Sequence, residues 1–335
     1  MISKRIIIMG VFLTLISFTC LGAQSGIAPY DIERVGLSGW QFLKITYDAR
    51  YSAIGGAFTA LSHGNSGAIF GNPSALVDVG NVDVQFTNVN WIADIKGQSI
   101  AIAKNFGRMG VLGFSVVSLN VGEMYETINR VIPGETRTEA VVTGNTFTAG
   151  DLAAGISYAK RVTDRLSIGA NVRWIREEIA EVSMNNVSVD FGTTYYTGFK
   201  SLRLCMVARN FGPDAHLVGW SEEYQMEAVD IRMPLDFRVG IGYDFFEGSS
   251  HVLSCAIEGT HPNDGPEKIN IGLEYKFGNL LVLRSGYRVN YDEEDFTLGG
   301  EINYTIGGLT ARVGYAYINF GILEQVHMFT LGLSL

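Results

Sequence analysis

The chain has 335 residues, 47% of them hydrophobic and 18% charged, so its length allows two ordinary soluble domains or one large barrel. It contains 40 glycines but only 7 prolines, a balance that suits long, curved strands. The formal net charge of −9 argues against a nucleic-acid-binding function, since such proteins need a basic surface.

The first residues have the layout of a secretory signal peptide. Lys4 and Arg5 precede a short apolar run, and small residues follow up to Ala23. The run is shorter than the roughly 20 residues that a membrane-spanning helix needs. We therefore predict a signal peptide over 1–23, with lipidation at Cys20 as the alternative, and an exported mature chain.

Residues 24–80 differ in pattern from the rest and predict a small helical hatch, or plug. Small residues recur at helical spacing in segment 48–61, where two glycines weaken the helix but permit close approach to another surface. A second short segment, 65–76, is interrupted by an Asn-Pro pair. The residues that define this hatch motif are Gly55, Gly56, Asn72 and Pro73.

Residues 81–335 alternate between apolar and polar side chains, which is the period of a β-strand with two different faces. Segment 235–244 is typical of this pattern. The pattern predicts about 14 strands that close into a transmembrane antiparallel β-barrel, with an apolar outer face and a polar interior. The predicted spans are 82–94, 96–105, 109–120, 149–160, 164–177, 186–197, 200–211, 233–246, 251–260, 267–277, 280–291, 295–306, 309–320 and 326–335.

The predicted connections alternate between long and short, which is a second indication of a membrane barrel. Outer-membrane barrels have short periplasmic turns and longer external loops. The long connections include 121–148, 178–185 and 212–232. A secreted all-β sandwich or propeller also alternates along its strands and remains the alternative, although it has no reason to sort its loops in this way.

The polar phase of the strands predicts a charged barrel interior. Mixed signs there indicate cross-strand ion pairs that fill the lumen. The same phase places Cys205 inward and Cys255 outward, so both are expected to be free thiols. The predicted inward charges are Arg173, Arg203, Arg209, Asp236, Arg238, Lys268, Glu274, Lys276, Arg284, Arg288, Glu301 and Arg312.

The sequence shows no catalytic, cofactor or metal-binding pattern. The five histidines are scattered, and no nucleophile-elbow, zinc-binding or paired-cysteine motif occurs. The acidic run 292–295 could attract Ca²⁺, but a solvated external loop is the preferred interpretation, as it is for the run 262–267. We therefore expect neither an enzyme nor a cofactor-dependent protein.

The N-terminal region resembles a known family of membrane proteins. In order, the chain has Gly-Trp-Gln-Phe-Leu-Lys-Ile over 39–45, Asp-Ala-Arg over 48–50, Gly-Gly-Ala-Phe-Thr-Ala-Leu over 55–61 and Asn-Pro-Ser-Ala-Leu over 72–76. These pieces resemble the start of PorV/PorQ-like proteins within the wider FadL-like outer-membrane family. The resemblance implies a fourteen-stranded barrel plugged by an N-terminal hatch.

Two functions follow from this resemblance. The first is a FadL-like channel in the outer membrane, surrounded by lipid, for passive uptake of hydrophobic small molecules such as long-chain fatty acids. The alternative is a PorV-like barrel that docks with, or shuttles cargo for, a protein secretion system. For the channel, hatch residues would form an apolar pocket and three arginines a basic patch for a carboxylate. The candidate ligand-binding residues are Phe58, Ile69, Phe70, Arg284, Arg288 and Arg312.

Overall fold

The structure is a computed structural model that describes residues 36–335, with six short gaps. The gaps are residue 63 and segments 133–136, 216–219, 222–225, 228–229 and 247–249. The predicted signal peptide and the first residues of the predicted hatch lie outside the described residues. These domain boundaries therefore stay predictions.

The described part of the chain after residue 81 is almost entirely β-structure. All but β8 and β9 of the strands given below form one closed antiparallel barrel of fourteen strands, in which β1 also pairs with β16. The strands are β1 Val82–Asn90, β2 Lys96–Asn105, β3 Val111–Val131, β4 Thr138–Arg161, β5 Leu166–Ile179, β6 Val182–Tyr196, β7 Arg203–Phe211, β8 Trp220–Ser221, β9 Met226–Glu227, β10 Asp236–Phe245, β11 His251–Pro262, β12 Lys268–Phe277, β13 Leu281–Val289, β14 Phe296–Ile306, β15 Leu309–Asn319 and β16 Gln325–Ser334.

The two faces of the barrel follow the alternation predicted from the sequence. Phe114, Ile257 and Leu331 are exposed on the outside, whereas their neighbours Ser115 and Glu258 are buried inside. A closed ring leaves no unpaired strand edge, and an apolar exterior can lie in lipid without desolvating charges. The predicted fold class, a transmembrane β-barrel of about 14 strands, is confirmed.

The barrel wall is longest at one hairpin, where the predicted strand boundaries were wrong. β3 and β4 stay paired up to Val131 and Thr138, so most of the predicted loop 121–148 is a two-stranded extension. β2 pairs with β3 only as far as Asn120, and β5 meets β4 only from Ala149. The extension thus projects beyond the rest of the wall, at what we call the loop end. The end that holds Val82 is the terminal end.

Two other predicted loops have different outcomes. Segment 178–185 is not a long loop, because β5 and β6 remain paired as far as Ile179 and Val182. The connection between β7 and β10 is long, as predicted, and carries the short β8–β9 ribbon. The longer connections at the loop end are therefore mainly this connection and the β3–β4 extension.

Residues 36–80 form the predicted hatch from very short helical pieces, most of them buried. These are the 3₁₀ helices Gln41–Lys44, Ser66–Phe70 and Pro73–Asp78 and the α-helix Ala49–Ala53. The predicted helix over 48–61 is shorter because Gly55 and Gly56 adopt positive φ angles and end it. Asp48 caps this helix by accepting a hydrogen bond from the Arg50 backbone N–H at 2.7 Å. Within the described ranges, no helix is long and apolar enough to cross a membrane.

Glycines on the inner wall let the hatch approach the strands closely. A Cβ atom added to Gly286 would collide with the backbone of Ile54 and Gly55, and one at Gly272 would lie 2.8 Å from the Ile54 carbonyl oxygen. At Gly192 an added Cβ would collide with the Asn72 side chain. The hatch is therefore packed backbone-to-backbone against the wall, which only residues without side chains allow.

Candidate functional site: the hatch and the barrel interior

The hatch is held to the wall by an ion-pair network centred on Glu274 of β12. Arg50 of the hatch donates to both carboxylate oxygens of Glu274, from Nε at 2.8 Å and from Nη2 at 2.9 Å. Arg284 of β13 also donates to Glu274, at 2.8 Å, and reaches Glu301 of β14 at 3.0 Å. Glu274 is fully buried, so its charge depends on these partners.

A second network surrounds the hatch residue Phe58. Arg238 of β10 pairs with Asp236 at 2.6 Å and with Glu258 at 2.9 Å. Glu258 also accepts the Thr59 backbone N–H at 2.8 Å. The Arg238 guanidinium lies 4.7 Å from the centre of the Phe58 ring, and Arg209 lies 5.7 Å from it. This arrangement favours cation–π attraction and ties the hatch to β10 and the neighbouring β11.

Further ion pairs complete the polar interior and confirm the prediction that charges of both signs fill the lumen. Arg312 binds Asp83 at 2.7 Å, and Asp83 accepts the Ser66 backbone N–H of the hatch at 2.7 Å. Arg173 of β5 binds Asp190 of β6 at 2.7 Å. Cys205 is buried and Cys255 faces outward, and both are free thiols, as predicted.

A cavity of about 160 Å³ lies between the hatch and the loop end of the barrel. One part of its lining is apolar, formed by Ile45, Trp91, Ile318 and Met328. The other part is charged. The charged lining residues are Lys44, Asp236, Arg238, Asp264, Lys268, Arg288 and Glu294. A cavity with one apolar and one charged side is chemically suited to an amphipathic molecule.

Ionic contacts order the mouth of this cavity. Lys44 Nζ lies 2.6 Å from both carboxylate oxygens of Asp264, which also accepts hydrogen bonds from Ser38 and Gln41. Burial would raise the pKa of Asp264, but these donors outweigh it and hold the pKa below its ordinary value. Lys268 lies 4.2 Å from the centre of the Tyr291 ring.

The structure distributes the predicted arginine patch over separate partners. Arg288 lines the cavity, where Nη1 lies 3.4 Å from a Glu294 oxygen. Arg284 binds Glu274 and Glu301, and Arg312 binds Asp83. Each guanidinium therefore already has a carboxylate partner. Their role in ligand binding stays a prediction, and only Arg288 borders the cavity.

The predicted apolar residues of the hatch are buried in two different clusters. Phe58 is fully buried beside Tyr51, with ring centres 5.3 Å apart. Ile69 and Phe70 belong to the other cluster, and the Phe70 ring lies 6.4 Å from that of Tyr47. None of the three lines the cavity, so a ligand could touch them only after the hatch moves.

The hatch motif is placed at the hatch–wall contacts. The Asn72 side chain accepts from the Ser74 backbone N–H at 3.1 Å and donates to the Thr59 carbonyl oxygen at 2.9 Å and to Thr194 Oγ1 of β6 at 3.1 Å. Pro73 begins the following 3₁₀ helix. Gly55 lies against the backbone of β13, and the Gly56 carbonyl oxygen faces Arg238 at 3.5 Å.

Sequence reasoning missed several residues of the cavity. Lys44 and Ile45 lie in the Phe-Leu-Lys-Ile segment, whose only signal was the family resemblance. Asp264 was assigned to a solvated acidic loop, which was wrong, because it is 6% exposed and bound to Lys44. Trp91, directly after β1, also lines the cavity and packs edge-on against Phe320 with ring centres 5.0 Å apart.

Comparison with solved structures reveals the same fold in two toluene transporters and a FadL homologue. The toluene transporter TbuX of Ralstonia pickettii is 13% identical, with a TM-score of 0.55 over 89% of this chain and 98% of that one. The toluene transporter TodX of Pseudomonas putida is 13% identical, with a TM-score of 0.54 over 86% and 97%. A FadL homologue of Pseudomonas aeruginosa is 11% identical, with a TM-score of 0.51 over 86% and 98%.

No protein-family model matches the sequence, and no curated protein matches it. At identities this low, the likeness establishes a shared architecture. The three proteins are described as transporters or as a FadL homologue, and none as an enzyme. The chain thus shares the barrel fold of these three proteins, one of which is described as a FadL homologue.

Proposed function

We propose that this protein is a passive outer-membrane channel for hydrophobic small molecules, with long-chain fatty acids as the leading substrate class. The observation that carries the proposal is a fourteen-stranded barrel whose lumen is closed by a hatch, an architecture shared with toluene transporters over most of the chain. The surrounding lipid and the hydrophobic cargo would then be its main partners, and an N-terminal signal peptide would direct its export.

The cavity at the loop end supports an amphipathic cargo. Its apolar side offers Trp91, Ile318 and Met328, and its charged side offers Lys268 and Arg288. An acid with a long tail would place its carboxylate near the basic groups and its tail against the apolar side. This is the polarity that a fatty acid needs.

The conformation described here is a closed state of the channel. Small-molecule pockets usually measure about 300–1,000 Å³, which exceeds the cavity found here. Below the cavity the hatch is packed against wall glycines and tied down by the Glu274 network. Passage therefore requires part of the hatch to leave the wall, after which Phe58, Ile69 and Phe70 could contact the cargo.

Uptake of labelled oleate by a strain that lacks its own fatty-acid channel tests this proposal. Expression of the wild-type protein should restore uptake. A disulfide between the hatch and the wall, introduced at Ala60 and Gly240, should block uptake until a reductant is added, because a Cβ atom at Gly240 would lie 3.4 Å from the Ala60 Cβ, close to the separation of about 3.5–4.5 Å in a disulfide. The same cysteine pair kept reduced is the matched control. No uptake of oleate, toluene or other hydrophobic probes by the wild type would contradict the proposal.

The β3–β4 extension keeps the second function open, that of a docking or shuttle barrel in protein secretion. Beyond Asn120 and before Ala149 no described strand pairs with the outer edges of this hairpin, so both edges offer backbone groups for another chain. Affinity purification of crosslinked membranes, with and without residues 122–147, tests it. A stable complex with other secretion proteins that needs the hairpin, together with absent uptake, would favour this function over the channel.

A further inference from the structure

A pair of carboxylates faces the lumen near the loop end of the wall. Asp151 of β4 and Glu177 of β5 are directly opposed in the antiparallel register. Both share the inward phase of Ala153 and Ile175, which are buried two positions away on the same strands. Directly opposed side chains have Cβ atoms about 4.5–5.5 Å apart, so the two negative charges repel each other.

No basic side chain in the described ranges neutralises this pair. The nearest arginines of β5 are already engaged: Arg173 with Asp190 at 2.7 Å and Arg176 with Glu178 at 2.8 Å. Elsewhere in the lumen the buried carboxylates, such as Glu258 and Glu274, have arginine partners. The Asp151–Glu177 pair therefore differs from these carboxylates, because it has no basic partner among the described residues.

The hatch contributes one buried polar group to this part of the lumen. Tyr47 is 3% exposed, and its hydroxyl has no hydrogen-bond partner among the described residues. Its ring contacts Gly97 of β2. In the strand register Gly97 pairs with Leu119 of β3, Leu119 pairs with Asp151 of β4, and Asp151 pairs with Glu177 of β5.

The Glu177 carboxylate has unused acceptor capacity, because its Oε2 atom is buried without a hydrogen-bond partner among the described residues. An unpartnered buried oxygen beside a second carboxylate is costly unless something positive occupies the space between them.

We propose that Asp151 and Glu177 form a binding site for a hard divalent cation, with Ca²⁺ as the best-fitting ion and the Tyr47 hydroxyl as a further oxygen ligand, directly or through water. Ca²⁺ takes oxygen ligands at about 2.3–2.6 Å in flexible geometry, which suits one carboxylate from each of two strands plus water. The bound ion would cancel the repulsion and join Tyr47 of the hatch to the wall. The site is separate from the cargo cavity and does not depend on the proposed transport function.

Calcium binding to the full chain in detergent tests this inference. We expect the EDTA-treated wild type to bind Ca²⁺ with a Kd on the order of 10⁻⁴–10⁻³ M, measured by titration calorimetry at constant ionic strength. Asp151→Asn and Glu177→Gln should each weaken binding at least tenfold. Glu178→Gln is the matched control, since Glu178 lies on the outer face beside Arg176 and should leave the Kd unchanged.

Thermal unfolding gives a second readout that does not need the variants to bind anything. In EDTA, Glu177→Gln should unfold at a higher temperature than the wild type because the repulsion is gone. In saturating Ca²⁺ the order should reverse, since only the wild type gains the ion. Undiminished Ca²⁺ binding by both variants would overturn the inference. So would a wild type that ignores Ca²⁺ and instead takes up one shared proton at the pair.

Discussion

Replacing Glu274 with glutamine should release the hatch from the wall. Glu274 has no exposed surface, and its partners Arg50 and Arg284 have side-chain exposures of 7% and 2%. Glutamine keeps the shape of the side chain but turns an acceptor for two guanidinium groups into an amide that must place an NH₂ against one of them. Removing one member of a buried ion pair typically costs about 3–5 kcal/mol, because the other charge stays buried without compensation.

The loss should therefore approach about 3–5 kcal/mol in the free energy of unfolding, measured by urea titration in lipid vesicles. The matched control is Glu139→Gln on the β3–β4 extension. Glu139 also pairs with an arginine, Arg130, but the two side chains are 47% and 63% exposed. An exposed pair contributes about 0–1 kcal/mol, so the same chemical change should hardly alter the free energy of unfolding there.

A double-mutant cycle tests whether the lost stability comes from the contact between Arg50 of the hatch and Glu274 of the wall. If the cost arises at the hatch contact, Arg50→Met and Glu274→Gln should be strongly non-additive, because each removes the same pair. Glu274→Gln should also make the hatch more sensitive to protease while the barrel strands stay protected. Equal losses for Glu274→Gln and Glu139→Gln, or full additivity with Arg50→Met, would refute the assignment of Glu274 as the hatch anchor.

Three further predictions concern the hatch and its surroundings. Gly286→Ala should displace the hatch and lower the unfolding temperature, because the new Cβ would collide with Gly55, whereas Gly259→Ala, with open space around it, should have little effect in the same thermal scan. Asn72→Ala should cost about 1–3 kcal/mol in urea unfolding, since it removes a helix cap and leaves buried partners unpaired. Because the pKa of Asp264 is lowered in the folded state, this carboxylate stabilises the fold above its unfolded-state pKa, and that stabilisation is lost as the pH falls through the folded-state pKa. Asp264→Asn should therefore reduce the loss of unfolding free energy at acidic pH, and an unchanged dependence on pH would contradict the assignment.

The sequence by itself determined the barrel and its two faces. Every second side chain along a strand points the same way, so the alternation near Leu331 and Leu333 specifies both the strand and its lipid side. The inward position of Arg284 and the outward position of Cys255 follow from that period alone. The hatch could also be predicted from the sequence, because Gly55 and the Asn72–Pro73 pair interrupt any regular element and mark turns.

Strand ends were less predictable. The β3–β4 extension alternates too weakly to be distinguished from a loop, since both of its faces meet solvent and neither needs to be apolar. Residues such as Thr127 and Thr143 suit an exposed strand and a polar loop equally well.

Only the tertiary structure decided which groups meet. Arg50 and Glu274 are far apart in sequence, and their contact depends on where the hatch docks and on the register between strands. The burial of Phe58 beneath Arg238 and the opposition of Asp151 and Glu177 have the same origin. A period of two fixes the direction of a side chain but carries no information about its neighbours across the barrel, because those are set by strand pairing and by the fit of the hatch inside the closed ring.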